Sequence, residues 1–453
     1  MTTPTLTESV VLRRSFRKTF PAAVRGEGVY IFDAGGKRYL DFAGSAVVNF
    51  IGHGVREISA AMAEQAAQLE FVHTSQFTTP VAEAYAEELL AFAGDHFRGG
   101  AVYFTSGGSE SIETALKLAR QYQVEIGQVK RHQVLSRQQS YHGSTLGALS
   151  VSGNRKRREI YLPMVKEFAH VGIPYCYRCK FDCTDSCYNC GQQYAAEVEQ
   201  AIVEAQGQAA AFIFEPVSGA TLGAVTPPPR YLEKVAEVCR GHGVLLIADE
   251  VMTGMGRTGR NFAVEHWRVA PDILVTAKGL SSGYAPLGAV IASKRVIDAI
   301  AAGSGAFLHG FTYNAHPISV AAGRAVLRNI QSNNLMQAAD SQKADSPAQK
   351  LRNELDTLLS LPHVGDVRGI GLLLAVEFVS DKNTKAPFPA EKNFAGRVGQ
   401  LAAQRGVLVY PMQGSADGIS GDHVLVAPPA VITEEQIHWA VAELRATIQE
   451  ATN

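Results

Sequence analysis

From about residue 100 to residue 325 the chain alternates between short apolar runs and helical stretches, and nothing else in it constrains the fold as strongly. The runs are AVYFT, HQVLS, AAFIFEP, VLLIADE, DILVTAK and LGAVIAS. Between them lie segments such as 110–124 and 231–241, with apolar residues at helical spacing. Strands separated by helices must cross over to pair, and continuous apolar strands must be covered on both faces. The pattern therefore predicts an α/β fold, a mostly parallel sheet with helices on both sides. Upstream, VYIFDAGGKRYLDF (29–42) reads as a hairpin turning at Asp33-Ala34-Gly35-Gly36. Beyond about 325, two long helical stretches enclose GLLLAVEFV and VLVYP, which predicts a smaller α+β unit. The segment 413–423, QGSADGISGDH, reads as a mobile loop. The expected organisation is an N-terminal segment (1–55) of a small domain, a large domain (56–325) with a Cys-rich insertion (174–191), and the C-terminal small domain (326–453).

Composition matters chiefly for what it excludes. The 453 residues are 46% hydrophobic and 19% charged, enough for an ample core. A formal net charge of -1 offers no basic face, so no nucleic-acid partner is expected. MTTPTLTESVVLRRSFRK contains no apolar leader run, and no stretch of about 18 apolar residues occurs anywhere. A cytoplasmic protein with no membrane span is the expectation.

Ligands of open α/β sheets bind beyond the carboxyl ends of the strands. After AVYFT comes SGGSE, where Gly107, Gly108 and Ser109 open a helix. That is either a phosphate cradle or a serine-capped turn, and no G-K-[ST] follows to make it a P-loop. After HQVLSRQQS come Tyr141, His142 and Gly143, either a ring-stacking pair or packing. Glu215 ends AAFIFE, Asp249 and Glu250 end VLLIA, and Lys278 ends DILVTA. A lysine closing an apolar strand is unusual unless its amine reaches solvent. Taken together, a phosphate cradle, a ring contact, a carboxylate and an amine are what pyridoxal phosphate requires of a protein. In that reading Asp249 keeps the pyridine nitrogen protonated. Glu250, one residue on, faces the other way and pairs with a base such as Arg257.

The motifs carrying these residues resemble those of the class III aminotransferases, of pyridoxal-phosphate fold type I, from about residue 29 to residue 433. DEVMTGMGRTG resembles the Asp-containing signature and DILVTAKGLSSGYAPLGAV the lysine signature. TSGGSE resembles the phosphate loop, YHG the ring-stacking segment, FTYNAHP the inter-subunit phosphate contact, and LVAPPAVIT the C-terminal Pro-Pro segment. The resemblance implies transfer of an amino group between an amine or amino acid and a 2-keto acid. Lys278 stands at the Schiff-base position, and Lys278 and Asp249 are the expected catalytic residues. The expected cofactor contacts are Gly108, Ser109, Tyr141, His142, Glu215, Asp249, Val251, Lys278 and Thr312. Thr312 would reach the phosphate of the other subunit, which implies a homodimer with shared sites; dimer and tetramer both stay open. Amino-acid epimerisation and decarboxylating transamination use the same residues and stay open as well. A non-catalytic scaffold has no need of Lys278 and Asp249.

The chain also departs from its relatives. Met252 stands where many carry a Gln that bonds the cofactor's ring hydroxyl. Leu425 stands where several carry an Arg that grips a substrate carboxylate, and Ala220 where that Arg's Glu partner would be. Arg257, Arg260 and Arg368 are candidate replacements, Arg368 reading better as structural. Five of the six cysteines fall within positions 176–190. Cys176, Cys179, Cys187 and Cys190 form two C-x-x-C pairs, a spacing that suits a structural zinc, with Cys183 spare. An ordinary thiol-bearing surface loop is the other reading. Cys239 reads as core.

Overall fold

The computed structural model describes residues 10–16, 18–181 and 187–452. Its centre is a seven-stranded sheet made of β4 (Ala101–Thr105), β5 (Gln133–Arg137), β6 (His170–Val171), β7 (Ala209–Phe214), β8 (Leu245–Asp249), β9 (Ile273–Thr276) and β10 (Gly288–Ala292). They lie in the order β4-β10-β9-β8-β7-β5-β6, after three further strands numbered β1 to β3 that precede them in the chain. From β9 across to β6 every pairing is parallel, and only β10 runs against its neighbours. The mostly parallel sheet expected from the alternation is present.

Why the strands read as unbroken apolar runs is visible in the packing. Side chains alternate across a strand. Ala211, Ile213, Leu245 and Ile247 face the helix Gly108–Glu125, which lays Ile112, Ala115, Leu118 and Ala119 against them. Phe212, Phe214, Leu246 and Ala248 face the other way into the principal core. Both faces are dry, so every position must be apolar until the strand leaves the sheet. The same alternation places Asp249 on the side of Leu245 and Ile247.

The three N-terminal strands, β1 (Ala23–Glu27), β2 (Tyr30–Asp33) and β3 (Arg38–Leu40), form an antiparallel sheet. The hairpin of residues 29–42 is there. Asp33 Oδ1 holds its turn by accepting from the N–H groups of Gly35 and Lys37, each at 2.9 Å. β1, mostly exposed and without apolar alternation, had no sequence signal. This sheet is tied to the C-terminal part of the chain: Leu40 N–H donates to Gly406 O (2.8 Å) and Leu408 N–H to Leu40 O (2.9 Å).

A four-stranded antiparallel sheet follows, in the order β11 (Val364–Ile370), β12 (Leu373–Phe378), β14 (Asp422–Val426), β13 (Tyr410–Gln413). Of residues 413–423, read as a mobile loop, Gln413 ends β13 and Asp422 and His423 begin β14, which leaves 414–421 as the reversal between them. It closes on itself through Gly414 N–H to Gly421 O (2.7 Å) and Ala416 N–H to Ser420 O (3.0 Å). Asp417 Oδ1 accepts from the N–H of Ile419 (2.8 Å) and of Ser420 (2.6 Å). Local turn chemistry therefore orders what composition alone presents as loop. Among the described residues no helix is long and apolar enough to cross a membrane.

Candidate active site

The carboxyl ends of β5, β7, β8 and β9 and the start of helix Gly108–Glu125 enclose a cavity of about 460 Å³. Gly108, Ser109, Tyr141, His142, Glu215, Asp249, Val251 and Lys278 all line it, so eight of the nine expected contacts meet at one place. Thr312 does not: it is exposed in the loop that follows His309 and precedes the helix Pro317–Ser332.

The helix start is open. Gly107 is its N-cap residue and no side chain caps it, so the first-turn N–H groups point into the cavity without a competing acceptor. Gly108 is pressed against Val251, where an added Cβ would come within 3.2 Å of Val251 Cγ1. Ser109 Oγ accepts from Ser144 N–H at 3.0 Å, which fixes the loop after Tyr141 to the helix start and leaves the hydroxyl hydrogen to donate.

Asp249 is held on both oxygens. His142 Nδ1–H donates to Oδ2 at 2.7 Å and Val251 N–H to Oδ1 at 3.1 Å. The His142 ring is buried, and its Nε2 has no partner among the described residues. The sequence presents His142 beside Tyr141 as a ring contact; the structure adds that it orients the carboxylate. No local pattern could have shown this, because the two residues are 107 positions apart. Glu215 ties the walls together. Its Oε1 accepts from Gly219 N–H (2.9 Å) and its Oε2 from Tyr141 N–H (3.4 Å), and burial raises its pKa.

Lys278 sits just past β9 with φ +42°, a left-handed conformation that a lysine rarely adopts and that concentrates at functional positions. It is partly open to the cavity and otherwise enclosed by protein. Burial lowers its amine to a pKa of about 8; Asp249 and Glu215 oppose that shift, while Arg157 and Arg257 add to it. The amine is thus far more often neutral at physiological pH than an exposed lysine.

Several expectations need correction. Glu250 does point away from the cavity, but it does not pair with Arg257. It takes the Thr253 hydroxyl and Val264 N–H (2.8 Å), and burial raises it to about 7. Arg257 is buried and spends its guanidinium on the carbonyls of Pro428 (2.6 Å), Asn49 (2.7 Å) and Ala427 (3.2 Å). Arg260 bonds Gly259 O at 2.9 Å and lies 3.5 Å from Asp340. Arg368 lies in an ion-pair cluster with Glu377 and Asp366. None of the three lines the cavity. Leu425 and Ala220 belong to one apolar cluster with Val47, Val217 and Leu373, against which Met252 packs; Val217 and Met252 are cavity wall. This side of the site is therefore apolar.

Of the cysteines, Cys176, Cys187 and Cys190 bring their sulfurs within 4.8 Å of one another. Cys179 is outside that group, with Tyr194 Oη 3.8 Å from its sulfur. Cys183 lies outside the described residues. Cys239 is buried in the core, and burial pushes its thiol up.

Comparison with known proteins agrees with this geometry. The family model "aminotransferase class-III" matches residues 12–448. The aminotransferase YodT of Bacillus subtilis, uncharacterized, is 39% identical over 444 residues, 97% of each chain. The adenosylmethionine-8-amino-7-oxononanoate aminotransferase of Geobacter sulfurreducens is 34% identical, over 95% of this chain and 92% of that one. Among solved structures, a thermostable (S)-enantioselective omega-transaminase from Thermomicrobium roseum superposes with a TM-score of 0.90 at 36% identity, covering 99% and 97%. The omega-transaminase of Pseudomonas jessenii in complex with PMP gives 0.89 at 30% identity, covering 99% and 97%.

Proposed function

Because the chain belongs to the class-III aminotransferases, we propose that the cavity between Gly108 and Lys278 is where it holds pyridoxal phosphate and moves the amino group. What carries the reading is a single convergence: a buried, doubly held Asp249 and a lysine amine lowered to about 8 face one cavity at the strand ends. The residues fit the cofactor. The uncapped helix start offers N–H donors to a phosphate. Asp249 offers a charge to a pyridinium, and the unpartnered His142 Nε2 marks a site whose polar groups the chain alone does not satisfy.

When bound, the cofactor supplies an aldehyde that condenses with amines and a ring that accepts electron density from the substrate carbon. The protein's own groups do the rest. Lys278 Nζ, with its amine lowered to about 8 and so about half neutral at that pH, would act as nucleophile and then carry the proton taken from the donor's carbon. Asp249, oriented by His142 and Val251, would be the partner for the cofactor's ring nitrogen. Val217, Met252 and Val251 exclude water from the reacting face. Borohydride reduction of the protein loaded with pyridoxal phosphate, followed by peptide mapping, should place the adduct on Lys278. An adduct on another lysine, or none, would overturn the assignment.

The same reading extends to assembly. Thr312 is exposed beside the exposed apolar side chains of Leu308 and Tyr313, which supports a homodimer in which Thr312 serves the neighbouring site. Thr312→Ala should then weaken cofactor affinity; full activity in a sedimenting monomer would refute it. The cysteine segment is read as a thiolate site for one zinc ion at Cys176, Cys187 and Cys190. Elemental analysis of untagged protein should find about one zinc per chain. Its absence would leave an ordinary loop.

A further inference from the structure

A cavity that handles an amino acid and a keto acid needs a cation for the substrate carboxylate, and the arginines named so far cannot supply one. Arg257 and Arg368 are buried and committed to carbonyls or carboxylates, and Arg260 is taken up by Gly259 O and Asp340. Leu425 and Ala220 belong to the apolar cluster behind the wall residues Val217 and Met252.

Arg157 is different. It belongs to the turn of helix Arg155–Arg158, whose first residues are fixed by Asn154. Asn154 Oδ1 accepts from Arg157 N–H (3.1 Å), and its Nδ2 is anchored on Gln139 Oε1 (2.7 Å). The guanidinium carbon lies 4.1 Å from the centroid of the Tyr141 ring, itself a cavity wall. On the other side NH2 lies 4.0 Å from Met412 Sδ, and Met412 packs on the same apolar cluster as Met252. The group is half-buried, and among the described residues no carboxylate pairs with it. Arg157 stands behind Tyr141 and does not itself line the cavity; its charge, like that of Arg257, acts on Lys278. A partly desolvated guanidinium between an aromatic face and a thioether, without a counterion, is costly unless an anion arrives with the ligand.

Resting on the reading of this cavity as the transamination site, we propose that Arg157 is the residue that receives the carboxylate of the amino-acid donor and of the keto-acid acceptor. The contact with Tyr141 holds the guanidinium in place, and its paired N–H donors match a carboxylate. Recognition thereby moves from the C-terminal segment, where Leu425 stands, to the large sheet's own loop. The apolar wall at Val217 and Met252 is left for the side chain of the substrate.

The experiment compares two acceptors of the holoenzyme, pyruvate and propanal, which differ in the carboxylate. In Arg157→Leu the ratio of kcat/KM for pyruvate to that for propanal should fall about a hundredfold. Arg157→Lys, which keeps the charge but not the fork, should lose about tenfold and serves if the leucine variant does not fold. Calorimetric titration of the holoenzyme with propionate, which cannot react, should show binding to the wild type that weakens at least about tenfold in the leucine variant. A ratio that stays within about threefold while both rates fall would make Arg157 a packing residue and overturn the proposal. A wild type that accepts neither compound after loading with an amine donor would instead refute the transamination reading of the cavity.

Discussion

Two clusters of buried charge, one around Glu377 in the C-terminal sheet and one around Lys278 at the strand ends of the large sheet, are built on opposite plans. Around Glu377, fully buried in β12, every charge is answered. Arg368 Nη1 lies 2.7 Å from one oxygen, Arg178 Nε 2.8 Å from the other, and the Tyr175 hydroxyl donates as well. Arg368 in turn reaches the carbonyls of Leu222 and Gly223, each at 2.6 Å. Burial alone would raise Glu377, yet the two arginines hold it below the usual carboxylate range. Around Lys278 the balance is left open. Burial dominates, the amine is lowered to about 8, Glu215 is raised, and His142 Nε2 has no partner among the described residues. In the first cluster each charge is paired, which holds structure; the second keeps, among the described residues, an unpaired amine and an unpartnered imidazole nitrogen at a cavity, which is what chemistry on a ligand requires.

The comparison can be broken in four ways. Lys278→Ala should abolish turnover, by about ten-thousandfold or more in a coupled amine-transfer assay, because among the described residues no other amine lines the cavity. Residual activity above that level would show that the open cluster is not the reacting one. Glu377→Gln should act on stability instead, lowering it by about 3–5 kcal/mol in urea unfolding, since Arg368 and Arg178 would be left without their carboxylate. Turnover measured well below the transition should stay near wild type, and a large loss there would erase the distinction between the clusters. Asp249→Asn keeps the shape and removes the charge. It should cost about a hundredfold in turnover, the scale of a preorganised electrostatic contact, with the denaturation midpoint little changed.

The smallest effect concerns pH. An exposed lysine in the unfolded chain titrates near 10.5 and Lys278 in the folded chain near 8. Between those values the unfolded state binds more protons, so the cost of burying the ammonium is full below about pH 8 and fades as pH rises toward 10.5. Lys278→Met should therefore stabilise the cofactor-free protein by about 1–3 kcal/mol at pH 7, with the gain vanishing near pH 10.5. A gain independent of pH would show that the methionine packs better, not that a buried charge was relieved.

What the sequence by itself determined is what repeats along the chain or sits at a fixed offset from a strand. Dry strands had to be continuous apolar runs, so β7, β8 and β9 were legible, and the ionisable residues at or just past their ends were Glu215, Asp249 and Lys278. Side-chain alternation was enough to separate Asp249 from Glu250. β1 was not legible, since it is an exposed strand with no alternation, nor was the order within residues 414–421. Only the tertiary structure decided the pairings between distant residues. His142 reaches Asp249, Arg257 closes on the carbonyls around Asn49 and Pro428, three cysteines gather without Cys179, and Arg157 lies over Tyr141. The reason is physical. Periodicity records which face of an element is dry, whereas a guanidinium or an imidazole takes whichever acceptor the assembled elements bring within about 3 Å, and no spacing along the chain encodes that choice.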